Sequence, residues 1–252
     1  MTKVLIKSLI AAMVAGIIAL VLRSFLGTTA FIADASSIGD FISVFGTLFG
    51  ILLAFVVFEV WSQYNKTSQL IDQEAQGLER LFRLTLYFRD SKLTNAMKQA
   101  VLNYSDEVIT DKFCNLAQGQ HNVKAGQIFR KIADVIKEIK FDDDHDQIVF
   151  DHIIDHYGHL SEIRTERINQ SITRLPLLLK TFLYVSSAFA LITVITVPFT
   201  GTYYSFMTAS ALTFILTMVF QLIEDLDNPF CGYWNLTTEP FERALKHIEK
   251  DY

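Results

Sequence analysis

Histidines and carboxylates crowd one short stretch of the chain, and these side chains are the best suited to metal or acid–base chemistry. Three histidines, His152, His156 and His159, follow one another at helical spacing. On a helix such positions share a face, and imidazoles so arranged can hold a transition metal. However, the glutamate of a His-Glu-x-x-His hydrolase motif is absent, and acidic residues also suit a solvated helix start. We therefore predict no bound metal at these three histidines.

Other signatures of enzymes are missing from the sequence. It contains no Gly-x-Gly-x-x-Gly, Walker or Gly-x-Ser-x-Gly pattern, which would mark a dinucleotide, nucleoside triphosphate or acyl-transfer site. The formal net charge is -5 and no basic patch is visible, which argues against nucleic-acid binding. The sequence therefore predicts neither an enzyme nor a cofactor.

The apolar residues, which make up 51% of the chain, are concentrated in four stretches. Each has about the 20 residues that cross a hydrocarbon core roughly 30 Å thick. The stretches are residues 4–22, 41–60, 175–197 and 203–223. They predict an all-α membrane protein whose four transmembrane helices form two hairpins around one polar block.

Basic residues set the predicted orientation of these spans. Between Trp61 and Arg174 lie 15 of the 22 Lys and Arg residues, whereas the loops 23–40 and 198–202 hold only Arg23. By the positive-inside rule, the polar block and both termini are cytoplasmic. A signal peptide is the competing interpretation of the first apolar stretch, but that stretch is longer than a usual signal core.

Ionisable residues are rare inside the spans, where they are functional candidates by default. They are Lys7, Glu59 and Lys180, each within about two helical turns of the predicted cytoplasmic end. Side chains at this depth can extend to the interface. The spans therefore predict no buried proton relay and no charged ring at mid-membrane.

The polar block, residues 61–174, has the pattern of an amphipathic helical bundle. It contains no proline, and apolar residues such as Leu78 and Leu81 recur at helical spacing. The pattern predicts about four helices, the first continuous with the second span. Because these helices are rooted in the membrane at both ends, we predict a single domain over residues 1–252, with a cytoplasmic turn and helix at 224–252.

The two cysteines, Cys114 and Cys231, both fall on the predicted cytoplasmic side. Thiols stay reduced in that compartment, and neither residue belongs to a Cys-x-x-Cys pair. The sequence therefore predicts no disulfide.

Two short motifs stand out in the sequence. The first comprises Gly50, Val56, Val57, Trp61, Gln63 and Tyr64. Their spacing resembles that of the second, pore-lining segment of the bestrophin ion channels. The second motif comprises Gln221, Leu222, Ile223, Asp227, Asn228, Pro229, Phe230 and Gly232, and it resembles the segment that follows the last bestrophin span. The chain is therefore similar to the bestrophin-like membrane proteins of prokaryotes.

This resemblance implies a ring of identical subunits, most simply a homopentamer, in the inner (plasma) membrane of a prokaryote. The second span of each subunit would surround a central path. The implied function is passive conduction of ions, anions first, with the lipid bilayer and the permeant ions as the other partners.

The resemblance also assigns pore-lining positions on the second span. The three neck positions, one helical turn apart in the family, fall on Ser43, Thr47 and Ile51, and Gly50 adjoins them. In bestrophins these positions are bulky and apolar. Here only Ile51 conforms, which predicts a wider or more polar neck. A register error of one turn would instead bring Phe45 and Phe49 close to the axis.

The second motif predicts a turn by its own chemistry. Asn228 before Pro229 disfavours helix, and Gly232 permits positive φ. In calcium-gated bestrophins an acidic run that helps to bind calcium follows the corresponding residues. This chain has Tyr233-Trp234-Asn235-Leu236 there, so we predict no calcium gating.

An alternative interpretation belongs to a different class of protein. It is a non-conducting membrane scaffold or sensor whose cytoplasmic helices bind a partner or a metal. A membrane-bound hydrolase built on the three histidines ranks behind both. Current recording after reconstitution into lipid bilayers separates a channel from a scaffold.

Overall fold

The computed structural model describes residues 2–26, 35–110, 123–141, 144–196 and 201–251. Their α-helices are α1 (Thr2–Leu26), α2 (Ala35–Thr85), α3 (Ser91–Thr110), α4 (Val123–Lys137), α5 (Asp144–Ile172), α6 (Leu177–Thr196), α7 (Thr202–Asp227) and α8 (Glu239–Asp251). A short 3-10 helix, Leu86–Phe88, separates α2 from α3. No strand occurs in the described ranges, so the all-α prediction is confirmed.

Four segments are long and apolar enough to cross a membrane. They are Lys3–Leu22, Ile38–Phe88, Asp144–Thr196 and Tyr203–Asp227. The first, second and fourth predicted spans fall within α1, α2 and α7, respectively. The third covers α6 and the residues just before it. Length and composition thus support a protein with four membrane-spanning helices.

Helix α2 is much longer than a membrane requires. Its 51 residues cover about 77 Å at 1.5 Å per residue, whereas the hydrocarbon core is roughly 30 Å thick. The helix therefore carries the second span and continues well beyond it. The predicted continuity between the second span and the polar block is confirmed.

The chain divides into two compact units. The span unit comprises Met1–Ser62 and Arg174–Asp227, and the head unit comprises Gln63–Thr173 and Asn228–Tyr252. Helix α2 contributes its first part to the span unit and its second part to the head unit. The assignment of all 252 residues to one domain stays a prediction.

Small residues hold α1 against α7 in the span unit. Ser8, Ala12 and Ala19 are buried, and a Cβ atom on Gly16 would lie 2.3 Å from the Oγ atom of Ser210. Small side chains let membrane helices approach closely. The first span therefore packs mainly on the fourth, while the hairpin pairing of the first two spans stays a prediction.

The head unit is a helical bundle around an apolar core. Its buried residues come from α2, α3, α4, α5 and α8 and from the segment before α8; they include Leu78, Leu81, Phe82, Met97, Tyr104, Phe129, Ile132, Ile153, Leu160, Phe230 and Phe241. Burial of this kind supplies most of the free energy that stabilises a helical bundle. The predicted helical periodicity of the block is confirmed.

A buried ion pair crosses this core. Glu74 of α2 is 0% exposed and Arg167 of α5 is 2% exposed, and the Nε atom of Arg167 donates to the Oε2 atom of Glu74. The Tyr104 hydroxyl of α3 donates to Oε1 of the same carboxylate at 2.5 Å. Burial, and then the negative charge of Glu74, raise the pKa of Tyr104. One carboxylate therefore joins three helices.

A second arginine extends this network towards α4. The Nε atom of Arg164 donates to the Tyr104 hydroxyl at 3.1 Å, and its guanidinium carbon lies 5.1 Å from the centre of the Phe129 ring. A cation over an aromatic face is attracted by the ring quadrupole. The network thus reaches α2, α3, α4 and α5.

Cys231 takes part in a disulfide, so the prediction of no disulfide is wrong for this structure. The other cysteine of the sequence, Cys114, lies outside the described residues. That prediction rested on compartment and local spacing. Neither reports which sulfur atoms the tertiary structure brings within bonding distance.

Replacing Arg167 with Met should strongly destabilise the head unit. The substitution leaves the Glu74 carboxylate buried without its guanidinium, which typically costs about 3–5 kcal/mol. We expect a clear fall in the midpoint of thermal or denaturant unfolding, measured in detergent by circular dichroism.

The matched control lies on the same two helices. Lys66 of α2 and Glu166 of α5 form an ion pair whose side chains are 51% and 47% exposed. Exposed pairs contribute about 0–1 kcal/mol, so Lys66→Met should barely move the midpoint. Equal effects at both positions would show that burial of the Glu74 pair does not matter.

Candidate functional site

One face of the second span packs inside its own subunit. Phe45 lies edge-on to Phe189 of α6 with ring centres 5.3 Å apart, and Phe41 lies 5.9 Å from the same ring. Phe45 stacks on Phe49 one turn further along, and Val56 is buried. This face of α2 therefore holds the second span against the third.

The other face of the second span is uncovered in the subunit. All four predicted pore-lining residues are exposed there: Ser43, Thr47, Gly50 and Ile51. Phe45 and Phe49, the residues of the alternative register, lie instead on the packing face. The assignment of the exposed face to an ion path stays a prediction.

The exposed face consists of two parallel stripes. The first, which we call the small stripe, is formed by Ser43, Thr47, Gly50 and Ala54. The second, the bulky stripe, is formed by Val44, Leu48, Ile51, Phe55 and Phe58, each more than half exposed. Both repeat every three or four residues, as the seam of a helix–helix contact does.

Glycine is not required on this face by packing within the subunit. A Cβ atom on Gly46 or Gly50 would meet no other atom within 4 Å. The hydroxyl of Thr47 donates to the carbonyl oxygen of Ser43 at 2.8 Å, so its polar hydrogen is satisfied by its own helix. The small stripe therefore leaves open space beside α2, and the Thr47 hydroxyl needs no further acceptor.

The remaining motif residues of α2 come after the exposed face in the sequence. Trp61 is 44% exposed, and Gln63 and Tyr64 are half-buried. The carbonyl oxygen of Gln63 accepts a hydrogen bond from the Thr67 hydroxyl at 2.8 Å. They lie where α2 passes from the span unit to the head unit.

The structure has a turn after α7, as the Asn-Pro pair predicts. The amide of Cys231 donates to the carbonyl oxygen of Asn228, and the amide of Leu236 donates to that of Pro229 at 2.8 Å. Phe230 is 3% exposed in the head-unit core. The turn is therefore anchored by its phenylalanine.

Asp227 has a role that the sequence did not reveal. It is 4% exposed, and its Oδ2 atom lies 2.6 Å from the Nζ atom of Lys180 on α6. The sequence predicted that the Lys180 side chain extends to the membrane interface. In the structure its ammonium pairs with a carboxylate. The available signal was a lysine and an aspartate near the predicted cytoplasmic ends of successive spans.

The three histidines do not converge. The Nε2 atom of His156 lies 3.0 Å from the carbonyl oxygen of Gly77, and burial lowers the pKa of His156. His159 is exposed beside Glu162, and His152 is exposed. Within the part of the chain that the structure describes, no three His, Cys, Asp or Glu residues are grouped to hold a metal.

Comparison with known families identifies the class of this fold. The model of the Bestrophin-like domain matches residues 8–241, which is most of the chain. The protein therefore belongs to the Bestrophin-like family, whose members are ion channels. No curated protein sequence matches the chain.

Solved structures share this fold at low sequence identity. A crystal structure of a membrane protein variant is 14% identical, with a TM-score of 0.72 over 99% of this chain and 100% of that one. A variant of a bacterial bestrophin homologue from Klebsiella pneumoniae is 13% identical, with a TM-score of 0.71 over 98% and 99%. Another variant of that homologue is 14% identical, with a TM-score of 0.72 over 97% and 98%.

Metal analysis of the purified protein tests the prediction for the histidines. We expect no stoichiometric transition metal, because His156 binds a backbone carbonyl and the other two imidazoles are exposed. One zinc or similar ion per chain, lost in a His156→Ala variant but kept in a His247→Ala variant, would contradict this and favour a metal sensor.

Proposed function

We propose that this protein is the subunit of an oligomeric membrane channel that conducts ions passively, anions first, through a central path lined by α2. The observation that carries the proposal is the uncovered face of α2 opposite Phe189. The anion preference rests on analogy with the family, since fold alone does not determine which substrate a protein takes.

The two stripes of α2 support different roles in such a ring. The small stripe, with Ser43 and Thr47, offers hydroxyls and open volume, which suit a hydrated path. The other residues of the bulky stripe, Val44, Leu48, Phe55 and Phe58, offer an apolar surface, which suits contact with α2 of the next copy. A single four-helix subunit offers only one wall of a path, so conduction requires a closed ring, and the family resemblance favours five copies.

Ile51 is the residue that narrows the proposed path. It belongs to the bulky stripe and adjoins the small stripe, so a ring of its side chains narrows the path next to Gly50. A ring of branched apolar side chains resists hydration, and conduction depends on whether water fills it. Ser43 and Thr47 replace bulky apolar residues in the other neck positions, so Ile51 forms the tightest apolar ring of the three.

The orientation follows from charge. The dense Lys and Arg content between Trp61 and Arg174 favours a cytoplasmic head unit by the positive-inside rule. This orientation leaves both termini in the cytoplasm and the bilayer against the outer faces of the spans, and the family resemblance favours the prokaryotic inner (plasma) membrane.

Bilayer recording with an Ile51→Ala variant tests the path. Truncation eases wetting, so we expect conductance or open probability to rise on the order of a few-fold. Reversal potentials in a potassium chloride gradient should report anions as the favoured ions. A silent parent protein in intact assemblies would favour the scaffold alternative.

The control is Ile17→Ala on α1. Ile17 and Ile51 are both 51% exposed in the subunit, so the two substitutions remove the same atoms from equally exposed positions. Ile17 should tolerate the change with unaltered currents because lipid faces it in the proposed ring. A larger effect at Ile17 than at Ile51 would show that α2 does not line the path.

Mass measurement in nanodiscs tests the assembly. We expect a single closed assembly of five copies at every protein concentration at which the subunits stay associated. A Leu48→Glu substitution on the bulky stripe should break the ring into smaller species, because a carboxylate in that seam is costly to bury. A parent protein that is monomeric throughout would defeat the channel proposal.

A further inference from the structure

Asp227 is the last residue of α7, and both oxygens of its buried carboxylate are used. Oδ1 accepts a hydrogen bond from the backbone amide of Leu175 at 2.7 Å. Oδ2 pairs with the Lys180 ammonium at 2.6 Å, and the Lys180 side chain is only 22% exposed. A buried charge this well paired is costly to leave with one partner missing.

The partners of Asp227 lie at the start of the third span. Leu175 and Pro176 precede α6, and Lys180 lies in its first turn. The proline has no amide to donate and disfavours helical backbone at Leu175, so the break between α5 and α6 falls here. One side chain at the end of the fourth span therefore holds the start of the third.

These two ends are also where the chain crosses between units. Besides α2, the span unit joins the head unit at Thr173–Arg174 and at Asp227–Asn228. The first junction is non-helical, the second is the end of α7, and each has a proline nearby, Pro176 and Pro229. Such breaks absorb changes in backbone angle, as hinges do.

We propose that the Asp227–Lys180 pair is a latch that positions both junctions and thereby sets the balance between open and closed states. The proposal rests on the channel function given above. Neither residue belongs to α2, so the latch acts on opening rather than on the ion path. Loss of the latch changes open probability and leaves unitary conductance unaltered.

Three variants separate charge from hydrogen bonding. Lys180→Met leaves the Asp227 carboxylate buried without its ammonium. Asp227→Asn removes the negative charge but keeps an oxygen that can accept from the Leu175 amide. The double variant removes both charges, which is often nearly neutral for a buried pair.

Single-channel recording of these variants tests the latch. We expect Lys180→Met to change the open-to-closed ratio about 2- to 30-fold, the range of a typical coupling residue. The double variant should return towards the parent, because neither charge of the Asp227–Lys180 pair remains. Additive effects of the two substitutions, or unchanged open probability in all three variants, would overturn the proposal.

A matched control joins the same two helices. The Tyr184 hydroxyl of α6 donates to Glu224 of α7 at 2.7 Å in an exposed pair. Tyr184→Phe should leave the open-to-closed ratio near that of the parent. An effect as large as that of Lys180→Met would show that any contact between these helices matters equally.

Amide hydrogen exchange and measurement of ring assembly test the latch without recording currents. The Leu175 amide should exchange faster in Asp227→Ala than in Asp227→Asn. If Lys180→Met fails to form rings, the double variant should form them again. A silent parent with this exchange pattern would defeat the channel but keep the latch as a positioning contact. Unchanged exchange at Leu175 in Asp227→Ala would overturn the latch itself.

Discussion

The buried pair between Glu74 and Arg167 is the interaction on which the head unit depends. A carboxylate and a guanidinium removed from water are stable together only when their hydrogen-bonding groups are met. Tyr104 helps to meet those of Glu74, and Arg164 in turn engages Tyr104 and Phe129. The geometry of α2, α3 and α5 is therefore fixed by one set of directional bonds, to which the apolar core adds non-directional burial.

Helix α2 belongs in part to the head unit and in part to the span unit. Its second half carries Glu74, and its first half carries the exposed small and bulky stripes. The packing of Phe45 on Phe189 fixes the same helix within the span unit. The face that α2 leaves uncovered in the span unit is thus set by this aromatic contact.

The span unit solves a different physical problem. Burial of apolar surface gives little preference for one helix pairing over another in lipid, so close packing and polar contacts decide. Gly16 allows α1 to approach α7, and Gln221 donates to Ser8 across the same contact at 2.7 Å. Asp227 and Lys180 then join α6 to α7 at one end. These contacts leave α2 held chiefly by its aromatic face.

The sequence by itself determined the spans, the helical head, the break at Pro229 and the family, because length, periodicity and turn chemistry are local properties. It placed Ser43, Thr47 and Ile51 on one face for the same reason. Only the tertiary structure decided that Glu74 meets Arg167, that Lys180 meets an aspartate, and that α1 packs on α7. These partners lie far apart in the chain, and a periodic pattern shows which face is buried without showing what covers it.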